Sequence, residues 1–554
     1  MFYTKLKNTY DNKNRLTERT AKEKKTGKET VHTYRYNAYG DVAVQDDTQF
    51  VYGDVSGQVT KETTKLTKNK DVVKNYTYDS KGNKSTFSVK AGEDTKLSLS
   101  YEYDGSSRLI SVKDSEGNQA VSYAYDMLGR ITRETKTGRE DISYTYDANN
   151  NRKQMTIGNK TTAYQYNKND ELLRTDTLHT DTEKNDVVIY KNDKNGNQLA
   201  TVNRSEIPAE AKDTSYIDVD VTLGDNQLND NVVNHYNALN QLTETLTKNY
   251  KVSFTYDAEG LRTGKTVNGE KTVYVWDGDQ VVMELSEGGK VQKRYIRGND
   301  LVYADKGDEM EKTYYVTDTH GNVVQLLDET GNVTKTYEYD SFGNEVNPDK
   351  KDENPFRYCG EYYDKETEEV YLRARYYEPS VGRFITRDTY TGESDEPLSL
   401  HLYTYCANDG VNMVDPSGHM YGYSYKDSNG QIHTEGFEWI SRRKGKVFKT
   451  EVKELRICTD GKVTNQMKKN KYYGDSTHGK RNTTSCFGKY VSADEIPYIV
   501  VPPSESRYKY SLGVIIDTNN GNYLYCVVAE IGPEANGMGE VSIYVGWKMK
   551  GLKI

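Results

Sequence analysis

The feature that most constrains this chain is a short unit that recurs along most of its length. It consists of an aromatic, any residue, a Tyr, then Asp or Asn, a few polar residues, Gly or Asn, and a short β-prone run. Copies read YRYNAYGDV from Tyr34, YTYDSKGNK from Tyr76, YEYDGSSRLI from Tyr101, YAYDMLGRIT from Tyr123, YTYDANNNRK from Tyr144, FTYDAEGLRT from Phe254 and YEYDSFGNEV from Tyr337. The spacing, roughly 20 to 25 residues, falls in the range of repeat arrays. Aromatics at alternate positions place two rings on one face of a strand. Asp or Asn followed by Gly supplies a turn that accepts positive φ and closes a hairpin. One hairpin cannot bury that aromatic face alone, so the hairpins must pair side by side into a long sheet. The pattern predicts an all-β scaffold.

Composition sharpens this expectation. Tyr numbers 49 against 10 Phe and 3 Trp, which suits half-exposed strands because Tyr combines an apolar body with a wet hydroxyl. A mean hydropathy of −0.91 with 29% charged residues would fit a disordered chain, but the regular aromatic spacing speaks against it. The five cysteines stand far apart without a CxxC pair, so neither a zinc site nor a disulfide framework is indicated, and no metal or cofactor is expected. No apolar run is long enough to span a membrane. The opening residues lack the apolar core of a signal peptide, so an export region is expected upstream or the chain is a shortened cassette.

The repeats end at a seam, Tyr371 to His419, which reads YLRARYYEPSVGRFITRDTYTGESDEPLSLHLYTYCANDGVNMVDPSGH. The Y-x-Y-D-x-x-G units resemble those of RHS/YD-repeat proteins over about Tyr10 to Gly418. RARYYEPSVGRFITRD, followed by LYTYCANDGVNMVDPSGH, resembles the RHS-associated core that closes such arrays. The resemblance implies a hollow cocoon of spiralling β-sheet that encloses a C-terminal toxin, secreted or at the cell surface, with a cognate immunity protein as partner. The domain expectation is a repeat shell over 1–353, a core over 354–418, and an effector over 419–554. The resemblance further implies an aspartyl self-cleavage that frees the effector just after the DPxG motif. Such chemistry needs two carboxylates, one polarising the peptide and one activating water. Asp388 and Asp415 are the candidates, with Arg383 or Arg387 to orient them. The bland alternative makes Asp415-Pro416-Ser417-Gly418 a simple turn. His419 stands where many family members have Leu.

Residues 419–554 change character. They contain 20 Lys plus Arg against 14 Asp plus Glu, a net of +6, so with −9 for the whole chain the remainder carries −15. A basic segment invites a nuclease reading, although no HxxxH or metal-carboxylate cluster supports it. A second resemblance, to glycoside hydrolase family 75, the fungal-type chitosanases, rests on NTTS (Asn482–Ser485), SADEIPYIVVP (Ser492–Pro502), AEIGP (Ala529–Pro533) and GEVS (Gly539–Ser542), best over 475–546. It implies Glu530 and Glu540 as the acid and base of glycosidic hydrolysis, an amino-sugar polysaccharide as substrate, and Asp475, Tyr498 and Trp547 as substrate contacts. Three functions are therefore weighed: a toxin with a chitosanase-like effector, a toxin with a nuclease effector, and a surface protein whose repeats bind carbohydrate.

Overall fold

The structure is a computed structural model. It describes residues 3–419 apart from 24–28, 54–57, 67–69, 183, 206–230, 298–299, 307–310 and 393–396, and beyond 419 the backbone of a set of strands. Two compact units divide at 437/438.

In the first unit, 29 strands from Tyr3–Tyr10 to Val333–Thr336 form one sheet. Each strand pairs antiparallel with the next in sequence, as in Tyr76↔Phe87 and Tyr144↔Met155. The predicted strip of hairpins is therefore what the chain forms.

The unit around Asp126 shows why the repeat has its residues. Asp126 Oδ1 accepts the backbone N–H groups of Leu128 (2.9 Å) and Arg130 (3.0 Å), and Oδ2 accepts Arg130 Nε (2.7 Å). Gly129 sits at φ +87°, a conformation that costs an L side chain energy. In other copies Asn150, Ser107 or Asn240 takes the same left-handed position, consistent with the tolerance of short polar side chains there. The guanidinium of Arg130 then stacks on Tyr146 of the next hairpin, 4.6 Å from the ring centroid.

The two tyrosines of each unit have different tasks. The first packs inward: Tyr76, Tyr101, Tyr144 and Tyr164 are buried. The second sends its hydroxyl back to a backbone carbonyl of an earlier strand. Tyr78 donates to Val59 O (2.6 Å), Tyr103 to Lys84 O (2.9 Å), Tyr125 to Leu109 O (2.6 Å), Tyr146 to Ile131 O (2.6 Å) and Tyr256 to Leu242 O (2.6 Å). Phe would fill the same space without this staple, which explains the preference for Tyr.

The strip returns on itself within the first unit. Leu66, Phe87, Val89 and Tyr101 share a core with Tyr314, Val316 and Leu327. The chain then leaves the strip for a small four-stranded sheet: Tyr362–Asp364, Glu369–Leu372, Arg375–Glu378 and Arg383–Phe384. Its aromatics pack with Val252, Phe254, Tyr274 and Tyr295 of the strip. Arg262 fastens the two parts. It pairs with the buried Asp364 and lies 4.3 Å from the Tyr371 ring centroid, while Lys265 reaches the same carboxylate at 3.0 Å.

After the core, Gly422–Lys426 pairs antiparallel with Met413–Val414 and with Ile432–Glu435. The second unit holds a five-stranded sheet in the order Arg456–Cys458, Glu540–Ser542, Tyr498–Val501, Tyr523–Ile531 and Leu512–Ile516. The last two strands pair antiparallel around residues 517–522, the hairpin that the sequence predicts. Among the described residues no helix is long and apolar enough to cross a membrane.

Candidate functional site

The short strand Arg375–Glu378 and the segment Met413 to His419 meet at the end of the core. Leu372 and Arg375 close a tight hairpin through Arg373, which takes a left-handed φ of +56°. The DPSG turn docks against this hairpin. Ser417 O accepts Ala374 N–H at 3.2 Å. Gly418 has φ +73°, and a Cβ there would lie 2.3 Å from Leu372 O and 3.0 Å from Arg375 N. Only glycine lets the backbone approach this closely.

Around the Gly418–His419 peptide stand two carboxylates and one guanidinium. Asp415 and Asp388 are buried, at 2% and 9% exposure, as is Arg375 at 5%. Asp415 Oδ1 accepts the N–H of Gly418 (2.8 Å) and of His419 (3.1 Å). Arg375 Nε donates to the Gly418 carbonyl oxygen, and its Nη2 lies 2.7 Å from Asp388 and 3.5 Å from Asp415. Phe384 supports the guanidinium from below at 3.5 Å, and Arg375 Nη1 donates to Leu402 O (3.1 Å). Asp388 Oδ1 accepts Tyr390 N–H (2.9 Å) and meets His419 Nδ1 at 2.7 Å. Both ends of one peptide bond are thus held: the carbonyl by a cation, the nitrogen by a carboxylate.

The electrostatics single out Asp415. Burial pushes the Asp415 carboxyl up to about 6, against the pull of Arg375 and with the push of the Asp388 charge. A carboxyl in that range supplies a proton near neutral pH. Burial also lowers the Arg375 pKa.

The sequence-derived pair Asp388 and Asp415 is therefore brought together at the seam, but neither predicted arginine accompanies it. Arg383 turns toward the repeat strip, where Nη1 donates to Asn151 Oδ1 (3.0 Å), Nη2 donates to Asp170 O, and the guanidinium stacks on Tyr166 and Tyr403. Arg387 is exposed. Arg383 lies buried on the strand Arg383–Phe384, whereas Arg387 follows that strand and is exposed beside the buried Asp388. The arginine that serves the pair is Arg375, from the RARYY run, and its only sequence signal is its place in a strand-prone segment of the core. His419 joins the site as well, signalled only by the departure from Leu.

The residues singled out in the C-terminal segment are placed less fully. Asp475 and Trp547 lie outside the described residues. Glu530 and Glu540 lie on the two strands flanking Tyr498–Val501, and both register with Val500. Among the described residues no group of three or more His, Cys, Asp or Glu is placed to hold a metal ion. Cys359 and Cys406 are free thiols, and burial raises both above the usual thiol range.

An antiparallel strip of YD hairpins closed by a DPSG core defines the class of YD-repeat shells. Residues 2–411 match the Teneurin YD-shell family, and the chain belongs to it. It is similar to the "tRNA3(Ser)-specific nuclease WapA" of Bacillus spizizenii, 28% identical over 491 residues, covering 80% of this chain and 19% of that protein. It is 25% identical over 362 residues to the "Double-stranded DNA deaminase toxin A" of Burkholderia cenocepacia, covering 58% of this chain and 22% of that protein. The chain thus spans about a fifth of the length of these relatives. The crystal structure of TcdB2-TccC3 has the same fold, with a TM-score of 0.50 and 17% identity over 74% of this chain and 24% of that one. These relatives correct the glycoside hydrolase expectation: they are named for acting on tRNA and DNA. The relatives likewise lend no support to a polysaccharide substrate.

Proposed function

We propose that this chain is the shell-and-effector portion of a toxin, and that its core cuts the chain at the Gly418–His419 bond to free the C-terminal segment. The observation that carries this is the grip of Asp415, Asp388 and Arg375 on that one peptide. Water attacks the Gly418 carbonyl carbon while Asp388 takes its proton. The negative charge that develops on the carbonyl oxygen faces Arg375 Nε, a donor already in place before the reaction begins. Protonated Asp415, adjacent to the His419 nitrogen, gives its proton to the departing amine as the C–N bond breaks. The products are a Gly418 carboxylate and a His419 amine. The acid is the carboxyl pushed up by burial, and the base is the carboxylate that Arg375 Nη2 approaches at 2.7 Å.

The test is synthesis of the full chain by cell-free translation, followed by electrophoresis. Two fragments, the smaller beginning at His419, are expected, and Asp388→Asn or Asp415→Asn abolishes them. An uncut wild-type chain across pH 5 to 8 refutes the proposal.

For the freed segment, we infer action on nucleic acid in a competing cell, neutralised by an immunity protein. The net charge of +6 against −15 elsewhere suits phosphate binding, and the named relatives act on tRNA and double-stranded DNA. Wild-type and Asp415→Asn chains incubated with total tRNA and with plasmid DNA test this. Intact, unmodified RNA and DNA after complete processing would refute it.

A further inference from the structure

We propose that His419, the residue that follows the cut, is a positioning residue for the cut itself, holding Asp388 in place from the far side of the bond. This rests on the self-cleavage reading above. His419 Nδ1 lies 2.7 Å from Asp388 Oδ1, and the imidazole is 39% exposed. Among the described residues Asp388 has two other donors, Tyr390 N–H on the same oxygen and Arg375 Nη2 on the other. Both come from one side, the core. The imidazole adds a third partner, from the residue beyond the cut. Such supports matter because a reacting group left loose by a small displacement loses much of its rate.

Among the described residues, the charged and titratable groups facing this pair are few. Asp415 accepts the His419 backbone N–H, Arg375 lies between the carboxylates, and the buried thiol of Cys406 feels the charge of Asp415. None of them donates to Asp388 Oδ1 from the direction of His419. The consequence is a substrate-assisted cut that can occur once. When the bond breaks, His419 becomes the first residue of the product, and its departure removes the third support of Asp388. The departure from Leu at this position is then a change in how the base is held.

Residue size and hydrogen-bonding reach can be separated by substitution. Asn places its Nδ2 where the His Nδ1 stands, whereas Gln places its amide nitrogen at the reach of Nε2, and Leu donates nothing. In the full chain made by cell-free translation and chased at pH 5 to 8, His419→Leu and His419→Gln are expected to slow cleavage about tenfold, the worth of one hydrogen bond to a charged group. His419→Asn is expected to stay within about threefold of wild type, because the same bond re-forms. A side chain that merely filled space would lose as much rate in His419→Asn as in His419→Gln. Wild-type rates in His419→Leu, or equal losses in Asn and Gln, overturn the assignment while leaving self-cleavage intact. Failure of the wild-type chain to cut, or cutting in Asp388→Asn, overturns the self-cleavage reading and this assignment together.

Discussion

The burial of Asp415 sets a pH dependence that can be worked out in advance. Its carboxyl titrates near 6, and the leaving nitrogen needs it protonated. The protonated fraction is then about one half at pH 6, ~9% at pH 7 and ~1% at pH 8. Above pH 6, cleavage should slow by about tenfold per unit. The same shift acts on stability with a definite sign. Because the folded pKa lies above the ordinary value of 3.8, the folded core binds this proton more tightly than the unfolded chain. Stability contributed by the group is therefore present at low pH and lost as pH rises between about 4 and 6, amounting to about 3 kcal/mol by linkage. Asp415→Asn keeps an acceptor for the Gly418 and His419 N–H groups without the buried charge. It should abolish cleavage and yet raise the melting temperature of the full chain at pH 8, with little gain at pH 4.5. The assay is the half-life of the full-length band from pH 5 to 8.5, paired with calorimetry of Asp388→Asn and of the Asp388→Asn/Asp415→Asn double variant. Both chains are uncut, so the comparison isolates Asp415. A rate flat or rising from pH 6 to 8, or a double variant less stable at pH 8, would refute the assignment of Asp415 as the buried acid.

Gly418→Ala should stop cleavage while leaving the shell folded, because the new Cβ would lie 2.3 Å from Leu372 O and must push the scissile peptide away from Arg375; electrophoresis with circular dichroism reads both. In the strip, Asp126→Ala removes the acceptor of two backbone N–H groups and of Arg130, and should cost about 1–2 kcal/mol by denaturant unfolding. Arg262→Met leaves the buried Asp364 with Lys265 as its remaining cationic partner. Burial works against the Asp364 charge, and Arg262 with Lys265 holds its pKa below the ordinary value, so this loss should cost about 3–5 kcal/mol. It should also expose the core to limited proteolysis, since Arg262 joins the strip to the closing sheet.

Much of this protein is legible without coordinates. The Y-x-Y-D-x-x-G unit determines an antiparallel strip because each residue type answers a local demand: alternate rings for one face, Asp for the turn N–H groups, Gly129 or Asn150 for positive φ. The same local chemistry marks the seam, since DPSG requires a tight turn ending in Gly418, whereas Asp388 and Asp415 are singled out by the resemblance to RHS-associated cores. The partners of those carboxylates are not local. Arg373, Arg375, Arg383 and Arg387 are equivalent in sequence, all within a few residues of the seam. The fold sends Arg373 to Glu361, Arg383 to Asn151 and Arg387 to solvent, leaving Arg375 alone between the two aspartates. That choice depends on the hairpin turn at Arg373–Ala374 and on repeat-strip residues more than two hundred positions away. The sequence by itself thus determined the hairpin strip; only the packing of strip against core decided which guanidinium and which imidazole meet the peptide at the border.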